Sequence, residues 1–183
     1  MGAFDGQILL WIQDNVRNDM LTPIIKFITN LGNSGWIWIA LTILCLLFAK
    51  TRKAGVLSAI ALIGSLLINN LLLKNLIARA RPYEVVEGLT RLIEAQTDYS
   101  FPSGHAGASF AAAVIFFIYL PKKLGVPALV LAILISLSRL YLGVHYLTDV
   151  LAGGLMGTAI AICVWQSQEH LAKALDKNKS NAV

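Results

Sequence analysis

Five runs in this chain are apolar over lengths that suit a lipid bilayer, and they restrict the fold more than any other feature. They lie at about residues 35–49, 54–73, 103–119, 126–142 and 148–165. An α-helix crosses the hydrocarbon core with about 20 apolar residues. Hydrophobic residues make up 57% of the chain and charged residues 14%, against roughly 45–50% and about 25% in a soluble domain. The expected fold is therefore all-α: an integral membrane helical bundle of about five transmembrane helices.

The N-terminal stretch is different in kind. Phe4, Ile8, Leu9, Trp11 and Ile12 recur at helical spacing among Asp5, Gln7, Gln13 and Asp14, and a second apolar set follows around Pro23 and Lys26. Neither half is long or apolar enough to span, so an amphipathic segment lying in the membrane interface is expected, with a weakly hydrophobic first span as the alternative. Gly32-Asn33-Ser34-Gly35 breaks the pattern. The expected division is one domain over residues 1–166, with 1–33 interfacial and 34–166 the membrane core. A polar cytoplasmic tail over 167–183 follows and frays at its end. Cys45 and Cys163 fall in separate apolar runs, which offers neither a disulfide framework nor a metal-ligand spacing. Both are expected to be small buried hydrophobes. No basic segment followed by an apolar stretch opens the sequence, so no cleavable signal peptide is expected.

Charge gives the chain a direction. Lys50, Arg52 and Lys53, then Lys122 and Lys123, then Lys173, Lys177 and Lys179 all fall at one end of such a bundle. Cytoplasmic loops carry an excess of Lys and Arg, so that end is expected inside the cell. The net charge of +5 reads as loop charge plus an anion site, and no basic stripe interleaved with aromatics points to nucleic acid.

The opposite end receives three charged stretches that are costly at membrane depth unless they serve a function. These are Lys74 to Pro82, Phe101-Pro102-Ser103-Gly104-His105, and Ser138 to Asp149. His145 and Asp149 are four apart, so on a helix they share a face and pair. A carboxylate beside an imidazole fixes its tautomer and raises its basicity. Lys74, Arg81 and Arg139 supply positive charge for a phosphate in transfer. Ser103 and Gly104 open a helix whose free N–H groups and dipole suit an anion. Residue types and spacing leave open which of His105 and His145 is the nucleophile.

The spacing K-x6-R-P from Lys74 to Pro82, P-S-G-H from Pro102 to His105, and S-R-x5-H-x3-D from Ser138 to Asp149, complete and in order, resembles the three signatures of the type 2 phosphatidic acid phosphatase (PAP2) family. The resemblance implies a membrane lipid phosphatase that needs no metal and no cofactor. It implies that His145 is the nucleophile and forms a phosphohistidine, that Asp149 holds its other nitrogen, and that His105 is the general acid and later the base. Lys74, Arg81, Ser103, Gly104 and Arg139 would bind the phosphate. The expected partners are a lipid phosphate substrate and membrane lipids, with no nucleic acid, and the oligomeric state is left open.

Within the family the chain most resembles bacterial undecaprenyl-diphosphate phosphatases, which implies the bacterial cell (inner) membrane, and the loop charge puts the expected site on its extracytoplasmic side. The motifs bind phosphate rather than tails, so phosphatidylglycerophosphate, phosphatidate and diacylglycerol diphosphate compete as substrates. Phosphotransfer to another lipid or sugar would use the same residues. Soluble haloperoxidases share the anion site, but the apolar runs oppose that reading. A transporter pocket would explain the charges but not the combination of nucleophile, acid and orienting carboxylate.

Several residues outside the signatures carry expectations of their own. Arg79 is expected at the surface, steering anionic headgroups, and Tyr83, Tyr99 and Tyr146 as interfacial anchors. The connection 83–99 reads as a solvated loop or a substrate-facing lid, with Leu89, Leu92 and Ile93 forming an apolar turn against lipid. Asn69 and Asn70 bond across to neighbouring helices or touch the site. Gly153, Gly157 and Ala161, each four apart, form a stripe for close helix packing.

Overall fold

A computed structural model of the protein describes residues 2–180. Among them there is no strand. The elements run α1 (Gly2–Asn15), α2 (Leu21–Leu31), a 3-10 turn (Asn33–Gly35), α3 (Trp36–Leu47), α4 (Arg52–Ser65), π-helical turns (Leu66–Leu73), α5 (Lys74–Ile77), α6 (Pro82–Val85), α7 (Gly104–Tyr119), α8 (Lys122–Tyr141) and α9 (Leu147–Ser180). Four stretches are long and apolar enough to cross a membrane: Leu21–Leu47, Arg52–Val85, Lys122–Tyr141 and Leu147–Ala174. The apolar α7, 16 residues long, is the fifth helix of the bundle.

The first of these stretches begins earlier than the sequence pattern places it. The break at 32–35 survives as left-handed backbone at Ser34 (φ 50°) and Gly35 (φ 72°). Even so, α2 and α3 follow one another across it as one apolar stretch of 27 residues. The polar tail is helical, because α9 continues through Ser180, and its expected frayed end at 181–183 lies outside the described residues. Cys45 is buried as expected, whereas Cys163 is exposed on the bundle's outer face.

α7 is the central helix, with α4, α8 and α9 packed around it. Its sequence explains why: Ala106, Gly107, Ser109, Ala111, Ala112 and Ala113 are all buried, and small side chains let backbones approach closely. The stripe on α9 answers it. A Cβ at Gly153 would overlap the carbonyl oxygen of Ser103, and one at Gly157 would overlap that of Gly107. Two buried polar pairs fix α3 against its neighbours. The Trp38 indole Nε1 donates to Ser109 Oγ at 2.8 Å, and the hydroxyls of Thr42 and Ser58 share a hydrogen bond of 2.8 Å.

The two ends of the bundle carry different chemistry. At one end Lys53 lies 3.8 Å from Glu169 and over the ring of Tyr119, whose hydroxyl donates to Gln168 at 2.7 Å. The start of α4, the end of α7 and the polar part of α9 thus meet where the loop lysines cluster. The three signature stretches meet at the other end.

Because the α7–α9 contact leaves no room for a methyl group, Gly157→Ala is expected to destabilise the bundle by about 1–3 kcal/mol. Thermal unfolding in detergent, with Leu155→Ala on the exposed face of α9 as control, measures it. An unchanged unfolding temperature for Gly157→Ala would mean that the two helices are not in close contact.

Candidate functional site

Each signature residue reaches the site by a local device. Lys74 follows the π-helical turns. Ala78 then takes a left-handed conformation (φ 48°), which ends α5 and turns the chain inward. Arg81 precedes Pro82, the first residue of α6, and its backbone N–H donates to Glu84 Oε2 at 2.9 Å. Ser103 caps α7, its hydroxyl accepting from the N–H of Ala106 at 3.4 Å. Arg139 sits in the last turn of α8, where the helix dipole favours a cation. Gly143 (φ 72°) turns the chain after α8, and a Cβ there would press within 2.8 Å of the carbonyl oxygen of Thr90. His145 follows in that turn, and Asp149 lies in the first turn of α9.

These devices bring Lys74, Arg81, Gly104, His105, Arg139 and His145 to one cavity of about 1700 Å³. Ser103 is fully buried behind it, with its backbone N–H donating to the carbonyl of Asp149 at 2.9 Å. Asn70 lines the cavity beside Gly104, while Asn69 is buried against Gly107 and donates within its own helix to Ser65 at 3.1 Å.

His145 and Asp149 do meet, although His145 lies in the turn ahead of α9 rather than on a shared helix, and they do not form a closed hydrogen bond. His145 Nδ1 lies 3.5 Å from Asp149 Oδ2. That oxygen accepts from Ser100 Oγ at 2.5 Å and from the N–H of Tyr146 at 2.9 Å. The other imidazole nitrogen, Nε2, lies 3.1 Å from Arg81 Nη1. A guanidinium only donates, so Nε2 is the acceptor and the proton belongs on Nδ1, facing the carboxylate. Burial, with the charges of Arg81, Arg139 and Lys74, holds the imidazole well below its usual range, so it is neutral at neutral pH. His105 Nε2 lies 3.1 Å from Asn33 Oδ1.

The cations are held differently from one another. Arg139 donates to Thr29 Oγ1 at 2.8 Å and, more weakly, to Gln96 Oε1 at 3.4 Å, and its Nε is buried without a partner. Arg81 donates to the carbonyls of Val144 at 2.7 Å and Asp98 at 3.0 Å. Lys74 and Arg81 both form ion pairs with the carboxylate of Asp98. Burial pushes that carboxyl up, but hydrogen bonds and charge from Lys74 and Arg81 outweigh it and hold it below the usual range.

Three expectations need correction. Arg79 is not a headgroup-steering surface residue. It turns inward, donating to Asp149 Oδ1 at 2.6 Å, Thr148 Oγ1 at 2.7 Å and Asp5 Oδ2 at 3.0 Å. Tyr146 is not an interfacial anchor, because it is buried and Arg79 stacks 3.8 Å over its ring. Leu89, Leu92 and Ile93 do not face lipid. Leu89 packs against the Leu9 and Tyr146 cluster, and Leu92 and Ile93 against Leu142 and Val144, so the connection 83–99 covers the cavity as a lid.

Sequence reasoning also missed Asp5. It is only 2% exposed, one turn before the buried Leu9, and it accepts from Thr148 Oγ1 at 2.6 Å. An acid on the apolar face of an amphipathic helix was the available signal.

Comparison with known proteins agrees with this arrangement. Residues 54–172 match the PAP2 superfamily. An undecaprenyl-diphosphatase of Sulfolobus acidocaldarius is 35% identical over 141 residues, 77% of this chain and 68% of that protein. The crystal structure of a transmembrane PAP2-type phosphatidylglycerolphosphate phosphatase from Bacillus subtilis superposes with a TM-score of 0.76 at 29% identity, covering 92% of this chain and 86% of that one. The structure of Aquifex aeolicus LpxE shares the fold, with a TM-score of 0.79 at 24% identity over 90% and 96% of the two chains. The chain belongs to the PAP2 superfamily. It is a hydrolase of the lipid phosphatase type and an integral membrane protein.

A charge-assisted hydrogen bond contributes about 1.5–3 kcal/mol. Arg79→Ala is therefore expected to lower phosphatase kcat about tenfold or more with KM little changed, since Arg79 acts on Asp149 and not on substrate. Steady-state kinetics of the purified variant test this, and an unaltered kcat would separate Arg79 from the reaction.

Proposed function

We propose that the protein is a metal-independent lipid phosphatase that works through a phosphohistidine on His145, with undecaprenyl diphosphate, converted to undecaprenyl phosphate, as its leading substrate. The observation that carries the lipid reading is the shape of the cavity. From the cation cluster it continues along α3 and α4, past Ile39, Ile43, Leu62 and Ile63, to Leu46 in the last turn of α3. Counted from Gly35, the lining residue just before α3, to Leu46, at 1.5 Å per residue, the groove runs about 16 Å. A headgroup on the cations leaves its chain lying in this apolar groove between two membrane helices.

The chemistry follows from the atoms present. Lys74, Arg81, Arg139 and the N-terminal backbone of α7 at Gly104 hold the non-bridging oxygens, with Ser103, whose own N–H is taken by Asp149, contributing its hydroxyl. The His145 Nε2 lone pair attacks phosphorus, forming a P–N bond as the P–O bond to the leaving lipid breaks. Asp149 stabilises the imidazolium through Nδ1–H. His105, as the imidazolium that the bound phosphate's negative charge favours, gives its proton to the leaving oxygen, then as neutral imidazole takes one from the water that cleaves the P–N bond and frees phosphate. Arg81 contacts Nε2 in the free protein, so phosphate binding draws the guanidinium from the nucleophile to the substrate.

Relatives named for undecaprenyl diphosphate and for phosphatidylglycerolphosphate support the substrate class. Phosphatidate and diacylglycerol diphosphate, and phosphotransfer by the same site, are the alternatives. Residues 1–166 act as one phosphatase domain, with 167–183 a cytoplasmic tail. The basic loops gather at the end away from the site, which favours an extracytoplasmic site in the cell membrane.

Phosphate release from these four lipids, in detergent with EDTA present, is expected to be fastest for undecaprenyl diphosphate and absent in His145→Ala. Release that persists in His145→Ala would remove the phosphohistidine. Ala59→Trp fills the groove beside α3 and is expected to slow lipid turnover by about tenfold while sparing a short-chain soluble phosphate ester. Equal loss on both substrates would place the lipid chain elsewhere.

A further inference from the structure

The cation cluster is not empty of anions. Asp98, on the lid, places one carboxylate oxygen on Lys74 and the other on Arg81 Nη2. Both cations are buried, at 5% and 2% exposure, whereas the Asp98 side chain is 51% exposed at the cavity mouth. A buried cation without a partner is strongly destabilising, so some anion must meet these two when no substrate is present. A carboxylate offers two oxygens to this pair of donors, and so does a phosphate group. Arg139 Nε, buried and without a partner, is the donor the carboxylate does not reach.

We propose that Asp98 is a displaceable internal anion that sets which phosphates the site accepts. In the free enzyme it occupies the phosphate seat on Lys74 and Arg81. A lipid phosphate, held also by its chain in the groove, displaces it. After hydrolysis Asp98 returns and expels inorganic phosphate. The lid backbone need not open for this. Ser100 N–H donates to the carbonyl of Arg79 at 2.9 Å and Leu92 N–H to that of Leu142 at 3.1 Å, so the lid stays pinned while the half-exposed side chain rotates into the cavity mouth. The tethered carboxylate therefore discriminates against soluble monophosphates, which have only the seat to bind, and in favour of anchored or doubly phosphorylated headgroups.

This inference rests on the lipid-phosphatase reading, but its test does not require that reading to hold. Isothermal titration with inorganic phosphate is run on the wild-type protein, Asp98→Asn and Asp98→Glu in detergent, alongside inhibition of lipid hydrolysis by added phosphate. Asp98→Asn is expected to bind phosphate about tenfold more tightly and to be inhibited by it in the same proportion, since an adjacent like charge is gone. Asp98→Glu keeps the competing charge and is expected to stay near wild type. Phosphate affinity that is unchanged, weaker or undetectable in Asp98→Asn, with an unaltered unfolding temperature, would overturn the proposal and make Asp98 a support for the cations. If wild-type protein hydrolyses none of the four lipids, the functional reading fails while the calorimetry still decides the role of Asp98.

Discussion

The carboxylate of Asp149 is the point on which the site end of the bundle depends. It is fully buried, and its oxygens are held by Arg79, Ser100 and the backbone of Tyr146, with His145 Nδ1 close by. A buried carboxylate must be paired to persist. Meeting that demand here draws together the end of α5, the end of the lid and the start of α9. The backbone of the same residue accepts from Ser103, which fastens the start of α7 to the start of α9. The close packing of α7 on α9 and the placement of the imidazole are therefore one arrangement seen from two sides. α1 joins it through Asp5, which holds the far side of Arg79.

Much of this was legible in the sequence. Apolar run length gave the helical membrane class. The Gly153–Gly157 stripe gave the α9 contact, because glycines four apart in a membrane helix mark a face where another backbone comes close. The three signatures gave the cations, the imidazoles and Asp149. The residues that escaped notice share a physical cause, which is that their partners are remote in sequence. Asp5 meets Arg79 across 74 positions. Arg79 looked like a surface residue because nothing in its neighbours announces the left-handed turn at Ala78 that sends it inward. Asp98 was one of four acids in a polar connection. Only the fold distinguishes the one that reaches Lys74 from Glu84, which caps the backbone at Arg81.

The helix that carries Lys74 holds a quieter constraint. Between Leu66 and Leu73 it widens into π-helical turns, which in effect accommodate an additional residue without ending the helix. Successive residues of an α-helix are rotated by about 100°, so this widening works as a phase shift between the two halves of the span. The lower half keeps Ala54, Leu57 and Ala61 turned to the core. After the shift Asn69 and Lys74 also face inward and Asn70 meets the cavity. The position of Lys74 at the site is thus set by a count of residues as much as by its own identity. Gaining or losing one residue in that segment would carry the ammonium group around the helix towards lipid while leaving every signature residue in the sequence intact.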